Sequence, residues 1–376
     1  MDNAILVTGT TGFVGSHFLL WLATHRPSRV FALVRGQSAT QRATKLTAAL
    51  ASASQGYRPA PDWDKVAADT QIVPGDIELP SCGVSSADVA TLFESRVREL
   101  WHFAATLSFE EKRRELIRTQ NIGGPRHAIE LAARIGAERF VYVSTAYTAG
   151  AESGRFDETL HSQDRRFSNA YEESKCEAEH VVTRLCAERG LALTILRPSI
   201  VIGSSRTHMP SGTTAGLYGF IREIGRLRRR LERTDEPVRI QAVPNVLLNF
   251  VPVDLVMRDI MTVIDRDFDV APIVHLSAES GISVATLVSS IAEQLGLESL
   301  DVGMDPADAL SPLERVLANR ITFYGSYLRS EKEFVRSLES RWVIDEEAFH
   351  AYVARGIDAL GSRARPRAER RKLTAR

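Results

Sequence analysis

The chain has 376 residues, enough for about two domains and a sizeable core without staples. Its composition, 44% hydrophobic and 25% charged with zero formal charge, is that of an ordinary globular protein. Cys82, Cys176 and Cys186 form no CxxC pair, which argues against a disulfide framework or zinc cluster and for a reducing, cytoplasmic compartment. No His, Asp or Glu cluster has metal-ligand spacing, so no metal is expected. No apolar stretch reaches the ~20 residues of a membrane span. No basic segment precedes the first strand, so no signal peptide is expected.

Residues 1–200 alternate short apolar runs with helical patterns. Strands are expected at 5–8, 30–34, 71–74, 100–103, 140–144 and 193–197, with helices at 14–23, 40–51, 117–135 and 171–189 between them. Apolar strands separated by helices predict a parallel sheet covered on both faces, a doubly wound α/β (Rossmann) fold. Residues 52–69, polar and broken by Gly and Pro, read as a surface loop. Beyond residue 200 the alternation fades. Residues 203–216 read as a loop, 217–233 as a helix, 273–276 as one more strand, and the chain from residue 283 on as mostly helical. Ser311-Pro312-Leu313-Glu314 is a helix start with cap, proline and reciprocal glutamate. The expected division is a dinucleotide-binding domain at 1–203 and 240–282, and a smaller substrate domain at 204–239 and 283–361. Residues 362–376, with seven Lys/Arg against one Glu, read as a disordered basic tail, solvated rather than bound to nucleic acid.

Gly9-Thr10-Thr11-Gly12-Phe13-Val14-Gly15 follows the first strand and opens the first helix. In that setting Gly9 allows a tight turn, Gly12 lets backbone approach a pyrophosphate, and Gly15 lets helix and strand pack closely. The loop with Thr11, Phe13 and Val14 is thus a phosphate cradle at a helix N-terminus. Arg35 ends the second strand where an NAD site would favour an acid, so it suits the 2′-phosphate of NADPH, and Arg42 can reach the same group. Asp76 and Ile77, after the third strand, stand where a carboxylate can meet the adenine amine.

Tyr171 and Lys175 form a Y-x-x-x-K pair one helical turn apart. An ammonium beside a phenol lowers its pKa from ~10, which would make Tyr171 a proton donor at near-neutral pH. Thr145 ends a strand at the sheet edge where ligands of such folds bind. Ala104, Ala105 and Thr106, after the fourth strand, are small enough to admit a cofactor, and Asn121 opens the next helix.

The segments His102-Phe103-Ala104-Ala105-Thr106, Val143-Ser144-Thr145-Ala146-Tyr147, Arg197-Pro198-Ser199-Ile200-Val201-Ile202-Gly203 and Phe250-Val251-Pro252-Val253-Asp254 carry a resemblance. Across residues 4–280 the chain resembles the extended short-chain dehydrogenase/reductase superfamily. Within it, the match is to the branch of fatty acyl-CoA reductases and thioester reductase domains. The resemblance implies that Thr145 is the catalytic hydroxyl and Tyr171 the proton donor, with Lys175 as its partner and ribose ligand. It implies that Pro198, Ser199 and Val201 also line the cofactor site, and that Arg35 and Arg42 hold the adenosine phosphate of NADPH. Gly123-Gly124-Pro125 departs from the branch's usual Gly-Thr after the helix asparagine.

The function this implies is a free-standing NADPH-dependent reductase. Its substrate is an acyl thioester on coenzyme A or an acyl carrier protein, reduced to aldehyde and potentially to alcohol. The Arg-rich stretch 222–233, with six Arg and two Glu, offers a docking face for an acidic carrier. Two alternatives share the same motifs: a ketone, hydroxysteroid or nucleotide-sugar enzyme of the superfamily, and a non-catalytic NADP-binding regulator.

Overall fold

The structure is a computed structural model that describes residues 4–26, 28–107, 111–234, 236–268, 272–306 and 309–361. The basic stretch 362–376, expected to be a disordered tail, lies outside the described residues.

Seven strands form the central sheet: β1 (Ala4–Thr8), β2 (Arg29–Val34), β3 (Gln71–Pro74), β4 (Val97–His102), β5 (Arg139–Val143), β6 (Ala192–Pro198) and β7 (Ile273–Leu276). Their spatial order is β3-β2-β1-β4-β5-β6-β7, and every pairing is parallel. β1 is buried along its whole length because both faces of the sheet are covered. One face carries α1 (Phe13–His25), α2 (Ala39–Ser54) and helix Val253–Asp265, joined in one apolar core with Val7, Trp101 and Val274. The other carries helix Gly124–Arg134 and α3 (Ala170–Glu188), packed on Leu6, Leu100 and Phe140. The chain reverses its direction of winding between β1 and β4. A crevice opens there at the carboxyl ends of the strands, as in other doubly wound sheets.

A separate apolar core gathers α4 (Leu217–Leu231) and helices Val284–Leu295, Pro312–Arg320 and Glu346–Ala359. α4 shows why it sits there. Leu217, Ile221, Ile224, Leu227 and Leu231 recur at helical spacing and are buried, while Arg226, Arg229 and Arg230 project to solvent. Ile240, Ala242, Val246 and Leu248 pack in this second core. The short strand Val238–Gln241 pairs with Leu300–Gly303 rather than with the main sheet. Phe250–Pro252 then returns to pair with Ile200–Ile202. At the start of helix Pro312–Arg320, Ser311 and Glu314 form the reciprocal capping box.

Two local expectations fail. Residues 52–69 are not one loop, because Asp62 accepts from the Lys65 amide at 3.1 Å and starts helix Trp63–Asp69. The helix expected over 117–135 is broken by a π-turn at Thr119–Gly123. Pro125 has no N–H to return to the carbonyl of Asn121, so the ladder cannot continue unbroken through that point and the preceding turn widens.

Candidate active site

The glycine loop is built to bring backbone together. Gly9 has φ +74°, and a Cβ there would stand 2.5 Å from the amide nitrogen of Ala104. A Cβ on Gly15 would collide with the carbonyl of Gly9. Gly12 caps α1 with no side-chain hydrogen bond, and no acidic residue stands in the first turn. Those first-turn N–H groups lack an intrahelical acceptor, so this end of α1 can take a diphosphate. Nearby, the hydroxyls of Thr10, Ser144 and Ser199 are buried without a partner among the described residues. The cradle and the orphaned hydroxyls both fit a polar dinucleotide.

At the far end of the loop, Arg35 points to Glu78 at 3.0 Å and Asp76 at 3.6 Å. Arg42 donates to the carbonyl of Gly36 at 2.7 Å. Lys45 donates to the carbonyl of Arg35 at 2.9 Å. A depression there is lined by Thr11, Gly12, Ser16, Arg35, Lys45 and Gly212. Lys45 is a third cation that the sequence reading missed. Its only signal was its position on the helix already credited to Arg42. Asp76 accepts from the Glu78 amide at 3.1 Å, and the Ile77 carbonyl bonds His127 at 2.8 Å, so both brace the turn after β3.

A cleft of about 270 Å³ runs from the glycine loop to the second core. Gly9, Gly12, Phe13, Val14 and Gly15 line its first end. Thr145, Tyr171 and Lys175 line its middle, together with Pro198, Ser199 and Val201. Ala105 lines it too, whereas Ala104 contributes backbone against Gly9. Asn121 stands behind the wall. Its carboxamide accepts from the Thr106 amide at 2.9 Å, donates to the Thr106 carbonyl at 3.2 Å, and reaches Ser174 Oγ at 3.0 Å. The residue thus ties the loop after β4 to α3.

Thr145 Oγ1 accepts from the Tyr147 amide at 3.2 Å and lies 3.4 Å from the Pro198 carbonyl. Lys175 is buried and donates to the Val143 carbonyl at 2.7 Å. Burial lowers its pKa to about 7, against an opposing pull from Glu179. Glu179 itself is locked to the buried Arg197 by bonds of 2.9 and 2.6 Å. The expected drop in the Tyr171 pKa is not what the site shows. Burial raises it above the ordinary phenol value, and the neighbouring Glu172 raises it further. Desolvation is the larger cause, and burial also drives Lys175, one turn away, toward its neutral form. Tyr171 therefore keeps its proton, which is the state a donor needs. His102 bonds Thr8 through Nδ1 at 3.0 Å, and burial, aided by Lys175, lowers its pKa to about 3. It packs as a neutral ring. The Cys176 thiol is pushed up to about 12 by burial and has no nucleophilic character.

The second end of the cleft is apolar, lined by Leu217, Phe220, Leu248, Phe250, Leu287 and Leu328. Phe323, Tyr324 and Tyr327 join them. No helix among the described residues is long and apolar enough to cross a membrane.

Comparison with known proteins places this architecture. A crystal structure of the terminal R domain from the myxalamid PKS-NRPS pathway superposes with a TM-score of 0.74 at 22% identity, covering 95% of this chain and 91% of that one. Fatty acyl-CoA reductase wat of Drosophila melanogaster is 28% identical over 252 residues, 58% of this chain and 46% of that protein. The large subunit of L-2-aminoadipate reductase from Penicillium chrysogenum is 28% identical over 277 residues, 68% of this chain and 18% of that protein. The chain thus spans less than half the length of either of these two relatives. The family model described as Male sterility protein, an NAD-binding model, matches residues 7–260, and the chain belongs to that family.

Proposed function

We propose that the chain is an NADPH-dependent reductase of acyl thioesters, acting on an acyl group held by coenzyme A or an acyl carrier protein. The observation that carries this reading is one continuous cleft that joins a phosphate cradle, the Thr145–Tyr171–Lys175 set and an apolar pocket. The relatives named as a fatty acyl-CoA reductase and as an R domain support it.

In this reading the Gly9–Gly15 loop and the start of α1 hold the diphosphate. Arg35, Arg42 and Lys45 hold the 2′-phosphate, and Asp76 and Ile77 border the adenine. Lys175 holds the nicotinamide ribose, while Pro198, Ser199 and Val201 flank the ring. When bound, NADPH supplies hydride to the thioester carbonyl carbon. Tyr171 and Thr145 donate hydrogen bonds to the carbonyl oxygen as negative charge grows there, each contributing roughly 10²–10³ in rate. Tyr171 gives its proton to that oxygen. The resulting hemithioacetal loses its C–S bond, the sulfur leaves as thiol, and an aldehyde remains. The aldehyde oxygen needs the same two donors, so a second reduction to alcohol would use the same site.

The exposed Arg229, Arg230 and Arg233 have no acidic partner among the described residues and form the cationic face offered to an acidic carrier. Arg228 is tied to Glu232 at 2.8 Å and contributes less.

The test follows nicotinamide absorbance with acyl-CoA, acyl-carrier and nucleotide-sugar substrates, then identifies the product. Consumption of NADPH with thioesters and formation of aldehyde or alcohol is expected. Turnover of nucleotide sugars with none of thioesters would overturn the reading.

A further inference from the structure

The wall of the cleft is a chain of rings with a defined end. It starts at Tyr147, whose amide donates to Thr145 Oγ1 at 3.2 Å. Tyr147 meets Tyr327 with ring centroids 4.5 Å apart, and Tyr327 meets Phe323 at 5.6 Å. Phe323 meets Tyr324 edge-on at 4.8 Å, and Tyr324 meets Phe220 of α4 edge-on at 5.1 Å.

Tyr324 is held where it stands. Its hydroxyl donates to the Gly216 carbonyl at 3.2 Å. The surface of α4 beneath it is a glycine, and a Cβ on Gly219 would come within 2.5 Å of the phenol oxygen. Two edge-on rings, one hydrogen bond and a fitted glycine leave the side chain little freedom to swing.

What lies past it differs in character. One turn along α4 from Gly219, Glu223 gathers Arg226 at 2.6 Å and Arg320 at 3.1 Å, both partly exposed. Arg222 and Glu223 are close enough to act electrostatically on the Tyr324 phenol. On one side of this ring is hydrocarbon, and on the other a solvated ion cluster.

We infer that Tyr324 is the end wall of an apolar acyl subsite and sets the longest acyl chain the cleft accepts. The inference rests on the thioester-reductase reading and deepens it. A linear hydrocarbon chain entering past Thr145 gains from each methylene it buries. It stops gaining at the phenol, because further carbons have no apolar surface to meet. Removing the ring frees the volume it fills against Phe220, Phe323 and Gly219, so further carbons bury themselves there before the chain meets the ions.

The experiment uses the full chain and a series of straight-chain acyl-CoA thioesters from butyryl to stearoyl. The variants are Tyr324→Ala and Tyr324→Leu, the second keeping an apolar fill if the first folds poorly, with Tyr324→Phe as the control that keeps the ring. In the wild type, kcat/KM rises with chain length and then breaks. In the Ala or Leu variant the break moves to longer chains, and the ratio of long-chain to short-chain kcat/KM rises about tenfold or more. Tyr324→Phe keeps the wild-type break. Equilibrium binding of a fluorescent long-chain polyene fatty acid gives a readout independent of turnover, and it tightens in the same two variants. An unchanged break and unchanged fatty-acid binding in both shortened variants overturn the inference. If no thioester is reduced by the wild type but fatty-acid binding tightens as described, the subsite stands and the reductase reading falls.

Discussion

Lys175 donates from Nζ to the carbonyl oxygen of Val143 at 2.7 Å, so the one buried lysine of α3 is fastened to the end of β5. The same Nζ lies 4.2 Å from the centre of the Tyr142 ring. Burial lowers its pKa from 10.5 to about 7. Between those values the unfolded chain binds a proton that the folded chain does not. Lys175 therefore penalises the folded state fully below about pH 7, and the penalty fades as pH rises toward 10.5. Lys175→Met removes that penalty, which is on the order of a few kcal/mol, and leaves the Val143 carbonyl unpaired at every pH. The melting temperature of the variant relative to wild type should fall as pH rises from 6 to about 10. A difference that does not change with pH would show that the lysine is not desolvated as described.

Tyr171 and Thr145 are expected to separate chemistry from binding. Tyr171→Phe and Thr145→Ala each remove one donor to the developing oxyanion, so kcat should fall roughly 10²–10³-fold. NADPH affinity, read by fluorescence titration, should change little in Thr145→Ala. Thr145→Ser keeps a hydroxyl and should recover most of the rate. Wild-type turnover in Tyr171→Phe would remove this residue from the mechanism.

A methyl group at Gly9 meets two obstacles at once. Its φ of +74° strains any other residue, and the added Cβ would press on the backbone of Phe103 and Ala104. Gly9→Ala should cost about 1–3 kcal/mol from the strain alone. It should also abolish the rise in melting temperature expected when NADPH is added to the wild type. A variant that melts like the wild type and is still stabilised by NADPH would contradict the close approach of β1 and β4.

The parts of the molecule that were legible in the sequence are local. Gly9, Gly12 and Gly15 report a turn and a close contact that only glycine permits, and a residue just past a strand, such as Thr145 two positions beyond β5, carries its position at the sheet edge with it. Tyr171 and Lys175 share a helical face by spacing alone. Their protonation was misread because burial is a property of what packs over α3, which i,i+4 spacing does not contain. Lys45, Phe220 and Tyr324 were given no place in the site for a related reason. They meet the site only when α2 lies on the glycine loop and when α4 packs on residues 323–328, some 100 residues away in sequence. The helix Trp63–Asp69 was hidden by flanking prolines that mask a good Asp62 cap.

Cofactor choice is expected to rest on Arg35 and Lys45. Arg35 is held by Glu78 and Asp76 and is 62% exposed, so its guanidinium can reorganise toward an added phosphate. A charge-assisted bond contributes about 1.5–3 kcal/mol, roughly a tenfold to hundredfold change in affinity. Arg35→Ala should raise KM for NADPH by that factor and leave KM for NADH nearly unchanged, with Lys45→Ala acting in the same direction. Equal losses for both cofactors would mean that the residues brace the loop instead of reading the 2′-phosphate.

The exposed arginines of α4 allow the two acyl carriers to be told apart. Arg229 and Arg230 point away from the second core and are distant in role from the cleft, whose lining draws only on the start of α4. Reversing both, Arg229→Glu with Arg230→Glu, turns an attractive face into a repulsive one for an acidic carrier protein. KM for the carrier-bound acyl group should rise about tenfold or more at low salt, and the effect should shrink at high ionic strength as screening takes over. KM for the same acyl group on coenzyme A should rise less, because a small thioester reaches the cleft without docking on α4. An unchanged KM for the carrier-bound substrate across salt concentrations would leave these arginines as a solvated helix face and move the docking surface elsewhere.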